Sequence, residues 1–183
     1  MAVRPIRTLP DPVMRAKTVR IKDIPAAMGR LIEDMVDSMR AAHGVGLAAN
    51  QIGMRQRVAV IEIPDEEVRI FLNPEIVKRE GERKVEEGCL SVPGYRGTIT
   101  RSEKVTIKAI DLKGRPFRLK AEGLLAQALE HETDHLNGIV YIDHLESPDD
   151  LYKIDEDEEE VDGDPEGDDA AEESGLEEAH TSH

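Results

Sequence analysis

The run His131-Glu132-Thr133-Asp134-His135 sets two imidazoles four residues apart, with a carboxylate directly after the first. A helix advances about 3.6 residues per turn, so both imidazoles share one face and can reach a single metal ion. Glu132 can then face a water on that ion, the helix-borne arrangement of zinc hydrolases: two ligands and a general base. Two histidines leave a tetrahedral metal short of a protein ligand. Cys89, the only cysteine of the chain, is the natural third, because a thiolate binds zinc or ferrous iron strongly and a metal lowers its pKa. Two imidazoles and a thiolate leave the fourth position to water, as a catalytic site requires. Taken singly, these residues have plainer readings, a hydrogen-bonded half-buried imidazole or a small buried hydrophobe. The pattern as a whole points to a metal.

Two metallopeptidase layouts can be tried on the same residues. HETDH is followed by Leu136-Asn137-Gly138, the start of the extended pattern HExxHxxGxxH, which then demands histidine where this chain has Tyr141. His144 is out of register and reads as a surface or capping residue. A layout with a glutamate from a further helix fails as well, because the acidic residues beyond 145 lie in a segment unable to hold one rigidly. Cys89 is the better ligand.

Positioning these groups requires a frame. Between Pro25 and His43 the apolar residues Met28, Leu31, Ile32, Met35, Val36 and Met39 recur at helical spacing and predict an amphipathic helix packed on the core. Val58 to Ile63, Ile70 to Val77, Val105 to Leu112 and Phe117 to Leu119 are rich in β-branched or aromatic residues and read as strands. Lys113-Gly114-Arg115-Pro116 suits a hairpin turn between the last two. The ligand-bearing helix is expected over about 121 to 137, with Gly138 at its C-terminal cap. Strands followed by one inserted helix, without repeating strand–helix alternation, predict an α+β fold: antiparallel β-sheets packed around a central metal-binding helix, with an N-terminal helix.

The length of 183 residues suits one domain. The formal charge of −15 is unevenly spread. Residues 1 to 145 carry 23 Lys and Arg against 21 Asp and Glu, whereas 146 to 183 carry 18 Asp and Glu against Lys153 alone. The expected division is a catalytic domain over 1–148 and an acidic disordered C-terminal tail over 149–183. That tail reads as a solubilising segment, with an acidic docking arm for a basic partner as the alternative. A lone cysteine excludes an intrachain disulfide. No apolar run has signal-peptide or membrane-span length, and a soluble cytoplasmic protein is expected.

Three segments, in order, resemble the peptide deformylase family: Gly44-Val45-Gly46-Leu47-Ala48-Ala49-Asn50-Gln51, like GxGxAAxQ; Glu87-Gly88-Cys89-Leu90-Ser91, like EGCLS; and His131-Glu132-Thr133-Asp134-His135-Leu136, like HExDHL. Leu9-Pro10-Asp11-Pro12 and Arg101-Ser102-Glu103-Lys104-Val105 extend the match over roughly residues 5 to 145. The resemblance implies hydrolysis of N-formyl-methionyl nascent peptides to formate and a free amino terminus. It implies one divalent metal on Cys89, His131 and His135, ferrous iron in cells, with Zn2+, Ni2+ or Co2+ able to substitute. Glu132 would be the acid/base, taking a proton as hydroxide attacks the formyl carbon and handing it to the departing amine. The side-chain amide of Gln51 and the backbone N–H of Leu90 would hold the oxyanion.

In the family, the positions of Val45, Gly46 and Gly88 contact the peptide, which pairs along the first motif as an added strand. From the glycines alone, a tight turn before a strand is the equal alternative. Leu124 and Ala128, on the helical face of His131, are candidates to line the methionine pocket, although core packing explains the same spacing. The chain departs from the family where Glu130 stands in place of a frequent glutamine; it could face solvent, pair with a cation or, turned inward, perturb the metal. It departs also in its acidic end, which replaces the basic ribosome-docking helix of some members and would be repelled by ribosomal RNA. No membrane contact and no direct nucleic-acid binding are expected. The rivals are a binding module whose metal site has lost turnover and a peptidase cutting internal amides.

Overall fold

A computed structural model describes residues 2–155. Its elements are α1 (Met28–Ala41), β1 (Gly46–Ala48), β2 (Val58–Ile61), β3 (Arg69–Glu80), β4 (Arg83–Cys89), β5 (Val92–Arg101), β6 (Lys104–Ile110), β7 (Pro116–Glu122), α2 (Gly123–Leu136) and β8 (Leu151–Lys153), with short 3-10 turns at Ala49–Ile52 and Tyr141–His144. Two antiparallel sheets form, one in the order β1-β2-β3-β6-β7 and one in the order β4-β5-β8. The α+β class with α2 at its centre is as expected.

The amphipathic stripe of α1 buries Met28, Leu31, Ile32, Met35 and Met39 against Leu47, Val58, Val60 and Leu72. Each such side chain contributes about 1.5–3 kcal/mol when fully removed from water. Two polar residues of α1 are buried as well, and both hold the chain's start. Asp34 accepts from the Arg4 guanidinium at 2.7 Å and from the Ala2 N–H at 2.8 Å, and Ser38 Oγ accepts from the Arg4 N–H at 2.8 Å.

Helix α2 lays Ala126, Ala128 and Leu129 on Ile61, Phe71, Val105, Ile107 and Ala121 of the larger sheet. It ends as its sequence predicts, with Gly138 in the left-handed conformation at φ +77° and its N–H on the His135 carbonyl at 3.0 Å. A Cβ there would lie 2.5 Å from the Arg15 carbonyl oxygen, so glycine also admits the close passage of the N-terminal segment. The β6–β7 hairpin turns at Asp111–Arg115, where Asp111 Oδ1 accepts from the N–H groups of Lys113 and Arg115 at 2.9 Å each.

The smaller sheet is unforeseen by periodicity. Its strand β5 carries Pro93, Gly94 and Gly97, which interrupt an alternating pattern. Its own core joins Ile99, Val140 and Tyr141, with Val85, Cys89, Val92, Leu145 and Leu151 against them. The last of these lies beyond the boundary expected at 148. Leu151–Lys153 pairs with Tyr95–Gly97 as an added strand, and Tyr152 Oη donates to Glu86 at 2.8 Å. Half-buried Leu151 and available strand hydrogen bonds outweigh the acidity of their neighbours. The remainder of the acidic segment expected to be disordered lies outside the described residues.

Candidate metal centre and active site

The first turns of the site are local. His131 and His135 fall four residues apart on α2, and their Nε2 atoms stand 3.0 Å from each other. Cys89 arrives from β4, where a register shift between Gly88 and Cys89 precedes the tight connection Leu90-Ser91 into β5. Its Sγ lies 3.1 Å from His135 Nε2, and one ligand atom from each of the three residues lies within 4.8 Å of the others. Tetrahedral coordination at about 2.0–2.3 Å requires separations of about 3.4 Å between ligand atoms, so the cluster has the size of a metal site. Its hydrogen bonding agrees. His131 places Nδ1 against Glu87, which leaves Nε2 directed toward His135 and the sulfur. A proton or a metal ion among these three atoms offsets their mutual repulsion.

The electrostatics follow from burial. His135 is fully buried and is held well below the usual imidazole range by desolvation and by the neighbouring His131, which keeps it in the neutral, ligating form. Burial also pulls His131 down, but Cys89 and Glu87 prevail and hold it well above that range. A proton there balances the surrounding negative groups, and a metal ion would take over that task. Burial would raise Glu87, yet its hydrogen bond to His131 and the Arg101 guanidinium bring it down to about 2. Arg101 grips Glu87 with two bonds of 3.0 and 2.6 Å and reaches Asp134 Oδ2 at 2.7 Å. Glu87 and Arg101 thus hold His131, one of the three candidate ligands, in place. Both lie inside the matched motif segments, which is the one signal in the chain that marks them.

Glu132 is 4 % exposed, and its Oε2 is among the buried polar atoms without a hydrogen-bond partner in the described residues. Burial pushes its pKa up to about 7, against the pull of His131. Its other oxygen lies over Gly46, where an added Cβ would sit 2.6 Å from Oε1. Glycine at 46 is therefore what lets the carboxylate reach β1. That strand is the end member of its sheet, paired with β2 alone, so its second edge is the place for an added peptide strand.

Gln51 is buried in the 3-10 turn that follows β1. Its Oε1 accepts from the Ala48 N–H at 2.9 Å, which orients Nε2 toward Ser91 Oγ at 3.2 Å and Cys89 Sγ at 3.9 Å. The amide therefore presents its donor to the ligand cluster. Ser91, whose N–H also points at Cys89 Sγ at 3.4 Å, is a further residue that sequence reasoning did not single out. Leu90 packs beside Gly44, where a Cβ would meet its side chain at 2.8 Å.

Of the other residues singled out in the sequence, Val45 and Ala128 belong to the same apolar cluster under α2. Leu124 stands at the start of the helix and is 44 % exposed. Gly88 has ordinary room for a Cβ, with Tyr95 O at 3.6 Å as its nearest contact. Glu130 turns away from the metal cluster. It accepts from Ser102 N–H and Oγ–H at 3.0 and 2.7 Å and from Arg79 at 3.1 Å. His144 is no isolated surface residue, since its Nε2 meets Asp134 Oδ2 at 2.8 Å.

An α+β body whose central helix carries two imidazoles, beside a cysteine sulfur and a buried carboxyl group, defines a metal-dependent hydrolase. Residues 3–150 match the family model described as polypeptide deformylase. The chain is 51% identical over 160 residues to the peptide deformylase of Dehalococcoides mccartyi strain CBDB1, covering 87% of this chain and 96% of that one. It is 45% identical over 169 residues to that of Thermomicrobium roseum, covering 88% and 96%. The crystal structure of a peptide deformylase from Legionella pneumophila superposes with a TM-score of 0.77 at 48% identity, covering 80% and 88%. The structure of the Thermus thermophilus peptide deformylase gives 0.77 at 41%, covering 80% and 87%. The chain belongs to the polypeptide deformylase family.

Proposed function

We propose that this chain removes the formyl group from the amino-terminal methionine of newly made polypeptides, with Cys89, His131 and His135 holding one divalent cation, Fe2+ in the cell, replaceable by Zn2+, Ni2+ or Co2+. The observation that carries the reading is the convergence of those three ligand atoms beside a buried carboxylate oxygen without a partner, at the end strand of a sheet. The cation would polarise the formyl carbonyl and supply water of lowered pKa.

The remaining work falls to the chain's own groups. Backbone groups of Val45, Gly46 and Gly88 bind the peptide as an extra strand along β1, while Leu124 and Ala128 shape the side-chain pocket. Glu132 takes a proton from the attacking water, and the oxyanion that develops is met by Gln51 Nε2 and the Leu90 N–H. Glu132 then returns the proton to the departing nitrogen as the C–N bond breaks, releasing formate and a free amine. A site near neutrality suits this exchange, because a carboxylate with a pKa of about 7 both accepts and gives a proton.

No helix among the described residues is long and apolar enough to cross a membrane. We place the enzyme in the cytoplasm, where formylated chains emerge. The acidic segment over 146–183 gives no attraction to ribosomal RNA, so direct nucleic-acid binding through it is not part of the reading.

The test is formate release from a formyl-Met peptide by anaerobically purified protein, beside the unformylated peptide and a Cys89→Ala control. Metal-dependent formate that the control lacks supports the reading. Absence of formate from metal-loaded protein points to a binding module, and cleavage of the unformylated peptide points to an internal peptidase.

A further inference from the structure

One stripe of α2 away from the ligands, Glu130 and Asp134 border an open cavity of about 180 Å³ whose walls include Arg79, Arg101 and His144. His144, on the 3-10 turn after α2, is the outer end of a continuous chain of contacts. Its Nε2 meets Asp134 Oδ2 at 2.8 Å, Arg101 meets the same oxygen at 2.7 Å, Arg101 grips Glu87, and Glu87 holds His131 Nδ1. We propose that His144 is a positioning residue for the metal centre: as an imidazolium it shares Asp134 with Arg101, and so sets how strongly Glu87 acts on the ligand His131.

Shared charge couples the two ends of this chain. Asp134 lies between two cations when His144 is protonated. Removing that proton makes Asp134 draw more on Arg101, which leaves less of the guanidinium to Glu87. Glu87 then pulls harder on the Nδ1–H of His131, and Nε2 becomes a stronger donor. The path runs through groups that water does not screen well, since the Arg101 and Glu87 side chains are 4 % and 5 % exposed. His144 itself has a side chain 37 % exposed and lines the cavity, so it exchanges protons with solvent.

On balance the surroundings favour the imidazolium form of His144. The hydrogen bond to Asp134 raises His144, burial opposes it, and of the more distant charges Arg101 lowers and Glu87 raises it. Arg79, Glu82 and Glu130 line the same cavity. The acids that flank it in the chain are engaged elsewhere, Asp143 with Arg15 at 2.6 Å and Glu146 with Lys84 at 2.9 Å.

This inference rests on the proposed metal centre, so its test needs no substrate. Co2+-loaded wild type, His144→Gln and His144→Arg are compared by thiolate-to-cobalt absorption and by the rate of Co2+ release to a chelator, across about pH 6 to 9. Arginine fixes the positive charge and glutamine removes it while keeping a donor. Release from the Gln protein should be roughly 3- to 10-fold slower than from the Arg protein, below the usual cost of losing a direct ligand support. Wild type should follow Arg at the acid end and Gln at the alkaline end. Three proteins with one common pH profile would overturn the role of His144 and leave the metal reading intact. Absence of the cobalt absorption in wild type would remove both.

Discussion

Glu130 and Glu132 are two buried carboxylates two residues apart on one helix, and they have opposite fates. Glu130 is 5 % exposed and takes three hydrogen bonds, from Ser102 and Arg79. Glu132 is 4 % exposed, and its Oε2 has no hydrogen-bond partner among the described residues. Two residues turn the helix by about 200°, so the first faces the β5–β6 connection and the second faces β1 and the ligands. A satisfied carboxylate holds structure together. An unsatisfied one stays reactive, because its proton has no fixed partner to stabilise the charge it leaves behind.

The sharpest way to break this contrast is to replace Glu132 by Gln. Turnover should fall by about 10³-fold or more while bound metal, read by elemental analysis, is unchanged, since the base is not a ligand. Metal loss in that variant would overturn the assigned role. Next in size is Arg101→Met, which strands Glu87 and Asp134 as buried charges without their shared cation. Denaturant unfolding should show a loss of about 3–5 kcal/mol.

A third prediction concerns pH. Glu132 has its pKa raised from 4.5 to about 7 in the folded protein. The folded state therefore prefers the neutral carboxyl, and ionising it costs stability as pH rises from about 4.5 through 7. In metal-free protein, Glu132→Gln should match wild type near pH 4 and exceed it by about 3 kcal/mol near pH 8. Equal stabilities at both pH values would show that the carboxylate finds a partner after all. The same substitution at Glu130 should do the reverse, lowering stability by about 1–3 kcal/mol through its lost acceptor while formate release stays within about twofold. The smallest effect expected is on oxidation: iron-loaded protein should lose activity in air faster than nickel-loaded protein, through the metal or the Cys89 thiolate. Equal lifetimes would argue against iron.

Legibility in the sequence followed the range of the interactions. The helix α2 and its pair of imidazoles were readable because a four-residue spacing is decided within one turn. The stripe of α1, β2, β3 and the β6–β7 hairpin were readable for the same reason. The β4–β5 pair escaped because Gly88, Pro93, Gly94 and Gly97 break its alternation, and β8 because three residues in an acidic context carry no periodic signal. Glu130 looked like a departure that could disturb the metal, and only its contacts with Arg79 and Ser102 showed it satisfied elsewhere.

By itself the amino-acid sequence determined the candidate ligands, the carboxylate beside them and the glycine-rich segment leading to Gln51, since residue chemistry and helical spacing are local properties. Tertiary structure alone decided which residues support them. Glu87 meets His131 across 44 residues, Gln51 meets Ser91 across 40, and Arg101 joins Glu87 to Asp134 across 14 and 33. Such partners are chosen by how two sheets close around one helix, and no window along the chain contains that information.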